Sequence, residues 1–312
     1  MRIILFLALV STAFGQQANK PKEPWMALEP TNKKDPKFVE KIQAHPDIVY
    51  ARNGDREMLL NLYHPKNQKE KLPAIVCIHG GGWAKGKRVH AAHIAQALAA
   101  RGFVTVSIDY RLSGEAKFPA QIEDAKAAVR WLRANAEKWK INPDAIGATG
   151  SSAGGHLTAL LATSGGVKEL EGSGGNAKFS SRIQAAAPMA AQTDLMVERI
   201  KLKSSAPKSI YRAFLGGSQE QVPKTYRLAS PMHHFDAQDP PTFFLCGELD
   251  DPSTRAEAFR KQSKKMKTPT GLLVIPGAPH GFHNKQKFFD IAVNRLDSFF
   301  TEQLKKLGKK VK

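Results

Sequence analysis

Two adjacent serines lie between glycines in AIGATGSSAGGHL, residues 145–157. The pattern G-x-S-x-G fits only with Ser152 at its centre, because centring it on Ser151 would put Thr149 and Ala153 where glycines belong. The glycines are needed because such a serine occupies a strained strand-to-helix turn, where a side chain two residues away would clash with the backbone. We therefore predict that Ser152 is a nucleophile and that Ser151 is a bystander.

A second glycine cluster, HGGGW, occupies residues 79–83. Three successive glycines leave backbone N–H groups free to point at a developing oxyanion. We predict that Gly81 and Gly82 donate two of these hydrogen bonds and that the N–H of Ala153 donates a third. His79 is expected to hold the glycine loop by hydrogen bonds. A phosphate-binding loop is the competing interpretation, but no Gly-Lys-Ser/Thr follows at Walker spacing.

A serine hydroxyl needs a base that takes its proton, and the chain has ten histidines. His280 lies in the glycine-flanked loop IPGAPHGFHN, after an apolar run and before the last predicted helix. From such a loop it can reach back over a sheet, so we predict that His280 is the base, with His283 as the reserve candidate. His90 and His93 have helix spacing, but a metal site would need a third ligand that the sequence does not indicate.

The base in turn needs a buried carboxylate that fixes its tautomer. The stretch FFLCGELDDPSTRAE offers Asp250, three residues after Gly247, far enough into the loop to turn toward His280. Asp251 is the alternative, although it could instead cap the next helix. We favour Asp250. The chain order Ser152, Asp250, His280 is one of the known layouts of a catalytic triad.

Apolar strand-like runs alternate with helical patterns around these motifs. Strands are predicted in LPAIVCI and FVTVSIDY and at 145–149, 182–189, 242–246 and 271–275, after a hairpin at Asn53-Gly54-Asp55. Helices are predicted in HAAHIAQALAARG and PAQIEDAKAAVRWLRANAEKW and at about 153–164, 254–266 and 286–306. This alternation predicts an α/β fold, with a mostly parallel sheet that carries helices on both faces.

Residues 190–235 interrupt the alternation. They are interpreted either as an insertion over the carboxyl ends of the strands, where open α/β sheets bind ligands, or as a long surface connection. Between Ala191 and Phe235 there are seven Lys/Arg against three Asp/Glu, whereas a long-chain lipase would need a broad apolar lid. Trp83 could stack on a sugar or aromatic ring, or simply pack beside the glycine loop.

The N-terminal residues differ in composition from the rest of the chain. Arg2, the apolar run Ile3–Val10 and a small-x-small site before Gln16 predict a cleaved signal peptide at residues 1–15. The apolar run is too short to span a bilayer, so we expect a secreted or periplasmic protein without a membrane span. A loose arm is predicted at 16–45 and the main domain at 46–308.

The formal net charge is +19. This favours association with anionic polysaccharide or an anionic cell envelope, with solvated surface charge as the alternative. Nucleic acid is not expected as a partner, since neither zinc-finger spacing nor an RNA-binding aromatic motif is present. Cys77 and Cys246 each lie in an apolar run, so two core thiols are predicted rather than a disulfide, which needs Cα atoms within about 7 Å.

Several stretches, among them IHGGGW, GATGSSAGGHLTALLATSGG and GAPHGF, resemble the α/β-hydrolase superfamily and its HGGG esterases related to hormone-sensitive lipase. More narrowly, they are similar to secreted bacterial feruloyl-esterase-like and acetyl-xylan-esterase-like proteins, over roughly residues 47–306. The resemblance implies an eight-stranded, mostly parallel sheet, no cofactor, and ester hydrolysis through an acyl-enzyme. The chain departs from the hormone-sensitive-lipase group in having Ser151 where Asp is usual and in lacking a large N-terminal cap.

These observations predict a serine carboxylesterase acting on short-chain or aromatic acyl esters, with a carbohydrate as the favoured alcohol. The alternatives are an amide or formamide hydrolase, a peptidase on the same fold, and a non-catalytic binder of anionic glycans.

Overall fold

The computed structural model describes residues 39–307, so the predicted signal peptide lies outside the described residues, as does most of the predicted arm. Eight strands form one sheet in the order β1-β2-β4-β3-β5-β6-β7-β8. They are β1 (Ile42–Asn53), β2 (Arg56–Pro65), β3 (Leu72–Ile78), β4 (Val104–Ile108), β5 (Ile141–Ser151), β6 (Ala185–Met189), β7 (Thr242–Gly247) and β8 (Thr270–Ile275). β2 pairs antiparallel with β1 and with β4, and the other neighbours pair in parallel. The expected eight-stranded, mostly parallel sheet is therefore confirmed.

The first strand starts earlier than predicted. Residues 16–45 were expected to form a loose arm, but β1 begins at Ile42, which pairs with Pro65. The buried Ile42 side chain packs into the core, which accounts for the early start. The hairpin turn lies as expected at Gly54-Asp55, because Asn53 pairs with Arg56 and Gly54 adopts a positive φ of 58°.

Helices cover both faces of the sheet. They are α1 (Ala92–Ala99), α2 (Ala120–Ala134), α3 (Ala153–Thr163), α4 (Glu198–Ser205), α5 (Ile210–Leu215), α6 (Pro223–Leu228), α7 (Ala258–Lys265) and α8 (Gln286–Phe300). A π-helical turn precedes α7 at Ser253–Glu257, and another follows α8 at Thr301–Lys305. Successive side chains of a strand point to opposite faces. On β3, accordingly, Val76 joins the core under α2 and α3, and Cys77 joins the core under α1 and α8.

The insertion at 190–235 contains α4, α5 and α6. Phe214 of α5 is fully buried and joins the larger core, and the amide of Phe118 donates to its carbonyl at 2.9 Å. The insertion is thus packed against the main body of the domain, where it contacts the segment that leads into α2.

Cys77 and Cys246 are both free and buried, as predicted. Within residues 39–307, no helix has the length and apolar character that crossing a bilayer requires. The same part of the chain holds no group of three His, Cys, Asp or Glu side chains arranged to bind a metal ion.

Candidate active site

Ser152 occupies a strained turn between β5 and α3. Its φ of 57° and ψ of −117° lie outside the regions that L-residues prefer. Two backbone hydrogen bonds fix this conformation: the Ser152 amide donates to the Met189 carbonyl at 2.9 Å, and the His156 amide donates to the Ser152 carbonyl at 2.9 Å. Strain of this kind persists where the surrounding structure determines it, and it marks functional turns.

The glycines on either side of Ser152 are required by close backbone packing. A Cβ on Gly150 would lie 2.6 Å from the Gly154 carbonyl oxygen, and one on Gly154 would lie 2.1 Å from the Ile78 carbonyl oxygen. β3 and β5 pair in register at Ile78 and Gly150. The start of α3 therefore lies directly against the end of β3, from which the second glycine cluster continues.

Three residues predicted from separate stretches of the chain lie in one hydrogen-bonded line. Ser152 Oγ lies 2.8 Å from His280 Nε2, and His280 Nδ1 lies 2.7 Å from Asp250 Oδ2. The imidazole is 47% exposed, whereas the Asp250 side chain is only 7% exposed. With its proton on Nδ1, the imidazole donates to Asp250 and accepts from Ser152, the arrangement in which a serine is activated for attack. Asp251, the alternative acid, accepts a hydrogen bond from Ser253 Oγ at 2.7 Å.

The loops after β7 and β8 bring Asp250 and His280 together because they are joined by their backbones. A Cβ on Gly247 would lie 2.2 Å from the Ala278 carbonyl oxygen. The amide of Leu249 donates to that same carbonyl at 3.1 Å, and the amide of Gly277 donates to Glu248 Oε2 at 2.8 Å. These contacts fix one loop relative to the other.

Sequence reasoning missed Arg255, which holds the second oxygen of Asp250. Arg255 Nη2 lies 2.8 Å from Asp250 Oδ1, and its Nε donates to the Asp250 carbonyl at 2.7 Å. Nη1 donates to the Ala190 carbonyl at 3.0 Å. The arginine comes from the π-helical turn before α7, so no simple helical spacing in the sequence points to it.

The HGGGW loop lies beside Ser152. Gly81 and Gly82 have φ values of 122° and 59°, and a Cβ on Gly81 would lie 2.0 Å from the Lys85 carbonyl oxygen. In the part of the chain that the structure describes, the amides of Gly81, Gly82 and Ala153 donate no hydrogen bond outside the helix and strand ladders. Donors of this kind suit an oxyanion.

His79 packs against this loop and holds it in place. Its Nδ1 lies 2.7 Å from the Gly80 carbonyl oxygen, and its ring stacks on Tyr110 with centroids 4.3 Å apart. The ring also fills the space in which a Gly86 Cβ would lie, 2.3 Å from Nδ1. Burial lowers the pKa of His79 to about 4, so the ring is neutral at pH 7.

A cavity of about 390 Å³ opens above Ser152 and His280. Its lining includes Gly80–Gly82, Lys85, His90, Ser151, Ile210, His283 and Asn284. Since Ile210 belongs to α5, the insertion contributes to the cavity wall, which favours the first of the two interpretations offered for residues 190–235. Ser151 is more than a bystander, because it lines the cavity and its Oγ lies 3.1 Å from His283 Nδ1.

Trp83 does not line this cavity, and its ring is packed instead. It is 3% exposed and stacks on Phe214 with centroids 4.3 Å apart. Its Nε1 donates to His156 Nδ1 at 3.2 Å, and His156 Nε2 donates to the Ala229 carbonyl at 2.7 Å. Of the two roles considered for Trp83, packing beside the glycine loop is the one observed, and it joins that loop to the insertion.

The sequence is similar to a known protein family and to known esterases. The BD-FAE family model matches residues 60–267. The esterase LipQ of Mycobacterium tuberculosis is 31% identical over 242 residues, which cover 76% of this chain and 56% of LipQ. The chain spans about half the length of the curated relatives it matches.

Two solved structures are similar over most of their length. A truncated form of a carbohydrate esterase from gut microbiota superposes with a TM-score of 0.73 at 29% identity, covering 84% of this chain and 96% of that one. A thermophilic esterase of the Planctomycetes species Thermogutta terrifontis, Est2, superposes in its butyrate-bound form with a TM-score of 0.69 at 29% identity. That comparison covers 83% of this chain and 94% of the other. At these identities the likeness establishes the fold.

Proposed function

This chain belongs to the BD-FAE family and has the α/β-hydrolase fold, and we propose that it is a secreted serine carboxylesterase that removes short-chain or aromatic acyl groups from carbohydrates. The observation that carries the proposal is the line from Ser152 Oγ through His280 to Asp250, with contacts of 2.8 and 2.7 Å, beneath an open cavity.

In the acylation step, Ser152 Oγ attacks the ester carbonyl carbon while His280 Nε2 takes the hydroxyl proton. Asp250 stabilises the imidazolium that forms. The carbonyl oxygen becomes an oxyanion, which accepts hydrogen bonds from the amides of Gly81, Gly82 and Ala153. Each such donor is worth on the order of 10²–10³ in rate.

The tetrahedral intermediate then collapses. The bond between the carbonyl carbon and the alcohol oxygen breaks, and His280 passes its proton to that oxygen, so the alcohol leaves and the acyl group stays on Ser152. In deacylation His280 takes a proton from water, the hydroxyl attacks the acyl carbon, and Ser152 regains its proton as the acid departs. Atoms and charges balance without a cofactor.

The form of the cavity supports a small acyl group. Ile210 stands beside the glycine loop, 3.6 Å from the position of a Gly82 Cβ, and limits the space on that side of Ser152. Est2, one of the similar structures, is known with butyrate and with propionate bound. The similar gut-microbiota protein is named a carbohydrate esterase, which supports a sugar as the alcohol.

The charge and the N-terminus complete the proposal. A net charge of +19 favours association with acidic polysaccharide or with an anionic envelope surface. Residues 1–15 have the composition of a signal peptide, so we propose export and a mature chain that begins at Gln16. Mass spectrometry of the exported protein tests this, because an intact Met1 in the exported material would exclude cleavage.

The decisive experiment compares hydrolysis of p-nitrophenyl acetate by the wild type and by Ser152→Ala. We expect kcat to fall by about 10⁶-fold, as in enzymes that lose a catalytic serine, and fluorophosphonate labelling to disappear. Ser164→Ala is the matched control. Ser164 is a buried serine at the far end of α3 whose Oγ has no hydrogen-bond partner within residues 39–307. Equal rates in wild type and Ser152→Ala would remove the esterase proposal.

A further inference from the structure

His283 is a second imidazole in the cavity of Ser152, and the proposed mechanism does not use it. It lines the cavity, is partly exposed, and its Nδ1 lies 3.1 Å from Ser151 Oγ. Its other ring nitrogen, Nε2, makes no hydrogen bond with the described residues 39–307. Because Ser151 precedes Ser152 directly, one end of the His283 ring is fixed beside the nucleophile.

The position of His283 assigns it to the alcohol side of the cavity. His280 delivers its proton to the leaving oxygen, so the side that His280 occupies receives the alcohol. His283 follows three residues later in the same tight turn, in which the Phe282 amide donates to the Pro279 carbonyl at 3.1 Å. The Asn284 amide donates to the Gly281 carbonyl at 3.0 Å. Gly82, in the glycine loop, and Ile210, at the start of α5, belong to other parts of the cavity wall.

The surroundings of His283 make it a hydrogen-bonding group and not a second base. Its Nδ1 faces the neutral hydroxyl of Ser151, whereas His280 Nδ1 faces the carboxylate of Asp250. Its ring stacks on His93 with centroids 5.9 Å apart. Burial and the nearby His93 and His280 lower the pKa of His283 to about 3. A neutral imidazole with one nitrogen fixed offers the other for a single directed hydrogen bond.

We propose that His283 Nε2 hydrogen-bonds a free hydroxyl next to the ester oxygen of the leaving alcohol. The preferred substrates are then partial esters of diols and sugars, in which an unacylated hydroxyl neighbours the acylated one, and Ser151 is the residue that positions the ring. This inference rests on the proposed esterase function.

The test compares two acetates of nearly equal shape, 2-hydroxyethyl acetate and propyl acetate, which differ by a hydroxyl in place of a methyl group. The ratio of their kcat/KM values isolates the hydrogen bond. We expect the ratio to favour the hydroxyl in the wild type. It should fall by about two- to tenfold in His283→Phe, the range for one neutral hydrogen bond, and recover in part in His283→Gln. Ser151→Ala should lower the ratio less, because it removes only the contact that orients the His283 ring.

His64→Phe is the matched control, because His64 lies on β2, contacts His45 and does not line the cavity. The ratio in that variant should equal the wild-type ratio. Two outcomes would overturn the inference and leave the esterase function intact. In one, the wild type hydrolyses both acetates with equal kcat/KM. In the other, His283→Phe and His283→Gln both leave the ratio unchanged. No hydrolysis of either acetate, or of p-nitrophenyl acetate, would remove the proposed function itself.

Discussion

Arg255 Nη2 lies 2.8 Å from Oδ1 of Asp250, the carboxylate oxygen that His280 does not contact. The same side chain also donates to the Asp250 carbonyl and to the carbonyl of Ala190, the residue directly after β6. Asp250 is thus held at its backbone and at both of its oxygens. The contact with Arg255 therefore fixes the orientation of the Asp250 carboxylate toward the His280 imidazole, although Asp250 lies in an irregular loop.

Loss of this contact should slow the chemical step. We expect Arg255→Met to lower kcat for p-nitrophenyl acetate by about 10²-fold, since small displacements of catalytic groups carry penalties of that size, while KM changes much less. Steady-state kinetics measures both constants. The control is Arg260→Met, because Arg260 lies in α7 and pairs with Glu257 at 3.0 Å. A kcat within twofold of the wild type would show that Asp250 needs no such support.

Buried neutral histidines should make the fold sensitive to acid. Burial lowers the pKa values of His93 and His156 from 6.5 to about 4. Below pH 6.5 these two histidines are protonated in the unfolded chain but stay neutral in the folded chain. The free energy of unfolding therefore decreases as the pH falls from 6.5 toward 4. Each histidine contributes at most about 3.5 kcal/mol, at roughly 1.4 kcal/mol per pKa unit.

Thermal unfolding between pH 4 and pH 7 measures this effect. The Tm of the wild type should fall steadily below pH 6.5, and that of His156→Gln should fall less steeply, because one of the titrating groups is gone. Identical slopes for the two proteins would mean that His156 is protonated as easily in the fold as in the open chain.

Ile210 should control the length of the acyl group. Its side chain lines the cavity and is 47% exposed, so Ile210→Ala opens space beside the glycine loop without emptying the core. We expect the kcat/KM for p-nitrophenyl hexanoate relative to the acetate to rise by about tenfold, the lower end of the effect of one methylene in a fitted pocket. Leu202→Ala is the control, since Leu202 is 65% exposed on α4 and does not line this cavity. An unchanged preference would show that another wall sets the limit.

The two thiols should be inert until the protein unfolds. Cys77 and Cys246 are each 1% exposed, and burial raises the pKa of Cys246 to about 12. Only thiolates react readily with disulfide reagents. Ellman's reagent should therefore titrate no thiol in the native protein and two after denaturation, and dithiothreitol should leave the Tm unchanged. Rapid labelling of one thiol in the native state would reveal an opening of the sheet.

Most of the fold was predictable because its signals are local. Apolar runs of strand length alternate with helical patterns, and the Gly150 and Gly154 positions follow from a single tight turn. The chain positions of Ser152, Asp250 and His280 could be predicted because parallel strands end at one edge of a sheet, so the loops after β5, β7 and β8 converge.

The remaining features depend on contacts that the sequence pattern does not encode. Ser151 and His283 are far apart in the chain, and their contact depends on how the loop after β8 folds. Arg255 reaches Asp250 through a π-helical turn, which sequence periodicity does not predict. The early start of β1 comes from its pairing with β2 and from the burial of Ile42 in the core, and both override the polar composition of the segment.

The stacking of Trp83 on Phe214 also gives the protein a built-in optical reporter. Indole emission responds to neighbouring rings and hydrogen bonds, and Trp83 has Phe214 of the insertion on one face and His156 at its Nε1. With the other three of the four tryptophans replaced by phenylalanine, its fluorescence would follow any shift of α5 against the glycine loop. Substrate entry could then be timed in a stopped-flow instrument without attaching a dye.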